Sequence, residues 1–154
     1  MVKVDDVAAL ILERSPSMNI WKLQRLCYYC QAWHLTWESR SLFPERIEAW
    51  ARGPSIPILY DEAKVWWGDL APWLQILAWP VGNSSKLAPN EVESVQAVLK
   101  YYGNQETEWL NDQSSREEPC RRGRRGLAEF ERGNRHITNA AMRKYYRKLL
   151  AGDS

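Results

Sequence analysis

The stretch Met18 to Ser39, MNIWKLQRLCYYCQAWHLTWES, constrains the chain more than any other. Leu23, Leu26, Cys27, Cys30, Trp33, His34 and Trp37 recur at spacings of three and four, which returns them to one face of an α-helix. Asn19 stands where an N-cap stands, accepting from a first-turn amide that has no partner inside the helix. Neither Gly nor Pro interrupts the segment between Lys22 and Thr36. Aromatic residues at 21, 28, 29, 33 and 37 lie all around the cylinder, so more than one face needs a covering neighbour. The pattern predicts a central helix over about 19–38.

The punctuation on either side predicts a single, mostly α domain over 1–150, with 151–154 as a tail. Asp5 suits the N-cap of a first helix with Val7, Leu10 and Ile11 inward, ended by Pro16. Ser55 suits the cap of a helix from Ile56 to Trp67, with Pro57 in its first turn. Asn90 and Glu93 form a capping-box pattern for a helix reaching Tyr102, where Gly103 stops it. A short helix around Glu106 to Asp112 follows, and Thr138 caps a last one over Asn139–Leu150.

Arg46 to Ala51 alternates apolar and polar residues like a half-exposed strand, ended by Gly53-Pro54 because proline cannot donate to a ladder. Residues 73–79, WLQILAW, suit either a second strand pairing with 46–51 or a short buried helix. The fold class is therefore mostly α (α+β), with a minor two-stranded β element placed at about 46–51 and 73–79.

No apolar run reaches the ~20 residues that span a bilayer, since Gln75 and Pro80 interrupt Leu74 to Val81. The N-terminus sets Asp5 and Asp6 before its apolar run and offers no small-residue cleavage site, unlike a signal peptide. Three cysteines, an odd number, fit a reducing cytoplasm better than a disulfide framework. The formal net charge of +2 hides an asymmetry. Residues 1–115 carry 10 basic and 14 acidic side chains, whereas 116–148 carry 11 basic and 4 acidic. Nine tryptophans suit either a thick core or a protein-binding surface.

Cys27-Tyr-Tyr-Cys30 with His34 one turn later has the spacing of metal ligands, and Cys120 or His136 would have to complete a zinc site. Small apolar cysteines on the core face of a helix need no metal to explain them, and that reading is preferred. No cofactor is expected. No G-x-S-x-G, P-loop, glycine-rich dinucleotide turn or H-E-x-x-H is present, so an enzyme is not expected. Arg121 to Arg125, RRGRR, suits phosphates or an acidic protein surface. Without a helix that reads a groove, a nucleic-acid partner is disfavoured. Trp50-Ala-Arg52-Gly53-Pro54 joins an aromatic to a rigid turn, either as core and connection or as a preorganised anchor for a partner.

Together these pieces resemble the Panacea (SocA-like) antitoxin domain family. The family signature, roughly M-T-x-x-K-L-Q-K-L-L-Y-Y-A-Q-A-W, is met by Met18, Asn19, Lys22, Leu23, Gln24, Arg25, Leu26, Tyr28, Tyr29, Gln31, Ala32 and Trp33. Leu42-Phe43, Ile47-Glu48-Ala49-Trp50, Gly53-Pro54, Pro57 and Tyr60 continue the match, and Ile137, Met142 and Tyr145 close it. A later family motif, L-S-x-x-T-H-x-E-x-P-W-x-x-A-R, keeps Leu110, Glu117, Pro119 and Arg124, but Ser114-Ser115 replace Thr-His and Cys120 replaces Trp.

The resemblance implies a non-enzymatic antitoxin of a bacterial or phage toxin–antitoxin pair that neutralises a cognate toxin by binding it. The alternatives are an adaptor that delivers the toxin to a protease, or a nucleic-acid-binding regulator using Arg121 to Arg125. The expected interface groups Trp50, Arg52, Gly53, Pro54 and Tyr60, with Tyr28 and Arg124 beside them. Tyr28 is included because Tyr28 and Tyr29, adjacent on one helix, should not both point into one core.

Overall fold

A computed structural model describes residues 1–152. Helix α1 (Val4–Arg14) leads through Pro16 into α2 (Ile20–Glu38), and a hairpin of β1 (Glu48–Trp50) and β2 (Gly53–Ser55) follows. Then come α3 (Pro57–Trp67), α4 (Pro89–Tyr102), α5 (Thr107–Arg116), α6 (Glu118–Gly123) and α7 (Asn139–Leu150). The domain is mostly α with a small antiparallel sheet, as the sequence predicts.

Helix α2 lies at the centre, touching α1, α4, α5, α7 and β2. Asn19 caps it, its side chain accepting from the Lys22 amide at 2.8 Å. Being surrounded explains why it is apolar or aromatic on every side. Its buried polar residues are matched to loops. The Gln24 side chain accepts from the Ile56 amide (2.7 Å) and donates to the Ile56 carbonyl (3.0 Å). Seven residues on, Gln31 accepts from the Leu42 amide (2.6 Å) and donates to the Phe43 carbonyl (2.7 Å). Each glutamine thus supplies one peptide-like pair of bonds to a segment that has no neighbouring strand there.

The second strand is not where the sequence placed it. β1 pairs with β2, in the register Glu48↔Ser55, Ala49↔Pro54 and Trp50↔Gly53. Residues 73–79 form neither strand nor helix. A 3-10 turn over Gly68–Trp73 ends there, and one isolated bridge joins Ile76 to Met18. Pro54 is tolerated in β2 because the Ala49 amide points away from it and donates to the Arg135 carbonyl at 2.9 Å. Ala49 and Pro54 therefore form a non-hydrogen-bonded pair, in which no donor is asked of the proline. On that other edge, Ile137 N–H donates to the Ile47 carbonyl (2.9 Å), so β1 lies between β2 and residues 135–137.

Tyr28 and Tyr29 are both fully buried, which corrects the expectation that one of them faces out. With α7 on one side of α2 and α4 on another, each ring has its own covering surface. Tyr29 stacks on Tyr102 of α4 (centroids 4.0 Å apart), and the Tyr28 and Tyr146 hydroxyls meet at 3.0 Å. Cys27 and Cys30 are buried in the same core, and burial raises both thiols well above the usual range. His34 is also enclosed, its Nδ1 2.7 Å from the Ser94 hydroxyl.

Candidate functional site

The hairpin reverses over Ala51 and Arg52 with ordinary negative φ and leaves the unusual dihedral, φ +144°, to Gly53. A β-carbon there would also lie 2.7 Å from Arg25 Nε and 3.0 Å from the Ser114 hydroxyl, so glycine is needed for both conformation and space. Beneath it, Arg25 of α2 donates from Nη1 to the Pro54 carbonyl and to the Ser55 hydroxyl, each at 3.1 Å. The Pro54 carbonyl faces away from β1, and Arg25 satisfies it.

Arg25 is an unusual tenant. It has no exposed surface, and its Nε and Nη2 have no hydrogen-bond partner. Among the described residues the ion pairs are Arg46–Glu48 and Arg122–Glu118, so no carboxylate neutralises it. Burial pushes its guanidinium down to about 10, opposed by Cys120 and Tyr29 and reinforced by Arg52.

The reversal forms a ridge between two recesses, and Ala51 lines both. One, of about 330 Å³, is bounded by Trp21, Trp50, Arg52 and Trp73, with Arg25 in its wall. Trp50 is half-buried, its indole N–H donating to Glu48 (2.9 Å) and its ring edge-on to Tyr60 (5.9 Å). Tyr60 in turn stacks on Trp21 at 5.2 Å. The other recess, of about 680 Å³, is lined by Arg121, Arg122, Arg124 and Arg125 with Glu118, Glu129 and Ser115. Helix α6 reaches the hairpin because Gly123 has no side chain; a β-carbon there would sit 2.6 Å from that of Ala49.

Of the sequence-nominated residues, Trp50, Arg52 and Tyr60 offer surface on this face. Gly53 and Pro54 are buried and support the ridge from behind. Arg124 is a strut, donating to the Ala49 (3.3 Å), Ala128 (3.0 Å) and Glu131 (2.5 Å) carbonyls. Tyr28, being enclosed, offers a partner nothing. Arg25, Trp21 and Trp73 were missed. A signal existed for the first two: Trp21, Arg25 and Tyr28-Tyr29 are spaced i, i+4, i+7 and i+8, which places a cation on an aromatic face of α2.

A second buried charge, at the junction of α5 and α6, packs against another side of α2. Glu117 is 4% exposed and accepts from Tyr146 (2.7 Å), Tyr29 (2.8 Å) and Gln113 (3.0 Å). It borders a separate, largely aromatic groove of about 860 Å³ lined by Trp33, Trp37, Tyr101, Tyr102 and Trp109.

The described residues contain no cluster of three or more metal-ligating side chains and no helix long and apolar enough to cross a membrane. A family model described as antitoxin SocA-like, Panacea domain, matches residues 23–120, from within α2 to Cys120 in α6, inside the motif that runs from Leu110 to Arg124. Neither a curated protein nor a solved structure matches the chain.

Proposed function

The chain belongs to the SocA-like (Panacea) antitoxin family, and from that premise we propose that it neutralises a cognate toxin by direct protein–protein binding through the hairpin face. The observation that carries this reading is the ridge itself. A half-buried tryptophan stands on a short hairpin whose backbone is held from behind by Arg25, Gly53 and Arg124, so little conformational freedom is lost when a partner docks. Large aromatic side chains at rigid, partly desolvated positions dominate the energetics of protein interfaces. The role is non-enzymatic and needs no cofactor.

Trp50→Ala tests it. Co-expressed with the cognate toxin, the variant is expected to lose rescue of growth, from the ~2 kcal/mol or more that such anchors contribute. Its circular dichroism should stay that of the parent. Full rescue by a folded Trp50→Ala protein would remove this face from the interface.

A further inference from the structure

We infer that the partner surface seated on this ridge is acidic, and that one of its carboxylates enters the Trp21–Trp50–Trp73 recess to face Arg25 and Arg52. This rests on the antitoxin reading and adds the chemistry of the partner. Among the described residues, Arg25 combines complete burial, two nitrogens without an acceptor and no acidic side chain in reach. A buried charge is ordinarily paired, because its desolvation is otherwise uncompensated. Within the chain, only the neutral acceptors of Pro54 and Ser55 answer it. The recess that touches Arg25 opens beside Arg52, which is exposed at the tip of the ridge. An anion between them gains from both cations.

Across the ridge the charge has the same sign. Of the four arginines lining the second recess, Glu118 pairs with Arg122 alone. Arg121 and Arg125 make no side-chain hydrogen bond among the described residues. Both sides of the ridge therefore present uncompensated positive charge, and a complementary protein presents carboxylates along the line that crosses it. A nucleic acid fits less well. The Trp21 and Trp50 rings each already pack against Tyr60, which leaves Trp73 as the one freely presented ring of the three, and Arg124 is committed to three backbone carbonyls.

The test uses the full chain labelled with ¹⁵N and three probes: a blocked hexaglutamate peptide, its hexaglutamine counterpart and a short DNA duplex. The glutamate peptide is expected to shift the Arg25 Nε–H and the Trp21, Trp50 and Trp73 indole signals, and the glutamine peptide to leave them in place. Arg52→Glu, a change at an exposed site, should weaken peptide binding by about tenfold or more, as should Arg25→Met if it folds. Equal shifts with glutamine, undiminished binding by Arg52→Glu, or stronger binding of the duplex than of the peptide would each overturn the inference. Its fate is separable from that of the antitoxin reading. If Trp50→Ala loses rescue while the glutamate peptide fails to bind, the interface stands and its acidic partner does not. A peptide that binds while Trp50→Ala rescues normally leaves an anion site without the toxin interface.

Discussion

Arg25 and Glu117 are both buried charges on or against the central helix, and the chain treats them in opposite ways. Glu117 is closed: three donors from α2, α5 and α7 surround its carboxylate. Arg25 is open: two acceptors from the hairpin leave two of its nitrogens bare. A closed charge ties helices together, whereas an open one leaves its desolvation uncompensated by the described residues. The Glu117 side builds the domain, and the Arg25 side is the one we propose for the partner.

The contrast can be broken at several points, the largest effect lying on the closed side. Glu117→Ala strands two buried hydroxyls and an amide, and should cost about 3 kcal/mol or more in urea unfolding, since bonds to a charged group contribute roughly 1.5–3 kcal/mol each. Raising the pH attacks the same cluster. Burial holds the Tyr28, Tyr29 and Tyr146 phenols well above their usual range, so the folded state keeps protons that the unfolded chain releases above about pH 10. Stability is then complete below that pH and falls beyond it, by up to about 1.4 kcal/mol per tyrosine per pH unit.

On the open side the effects are smaller. Gly53→Ala forces a β-carbon against Arg25 at a positive φ and should cost about 2 kcal/mol by thermal or urea unfolding. Arg25→Met at neutral pH should change stability by less than about 1 kcal/mol, because removing an unpaired buried charge offsets the two lost bonds. A loss as large as that of Glu117→Ala would erase the distinction between the two sides.

Much of this was legible in the sequence, and the exceptions have physical causes. The helix over about 19–38 and the Thr138-capped helix carried both periodicity and caps, and both are present as predicted. The second strand lies away from 73–79 because Gly53-Pro54, which reads as a stop, is itself the strand that pairs with β1. Proline's missing donor matters only where the ladder asks for one, and pairing phase is not written in composition. Trp50 and Arg52 were readable as an aromatic and a cation on a rigid turn. Arg25 was not, because it sits inside a family-like helical signature where a basic residue looks like solvated surface. Only the arrival of β2 over it, with no acid nearby, makes it distinctive.

The two glutamines of α2 have a consequence for how such a domain can diversify. Gln31 grips the chain at Leu42-Phe43 and Gln24 grips it again at Ile56, through side-chain amides that imitate a neighbouring strand. Between those clamps the ridge is held again by Arg25, by Arg124 and by the edge at residues 135–137, so the glutamines fix its two ends on one rigid rod. Under the proposed function, the exposed residues of that segment, Arg52 foremost, are the ones free to vary with the partner, while its ends and its buried residues, Phe43 and Ala49 among them, stay fixed.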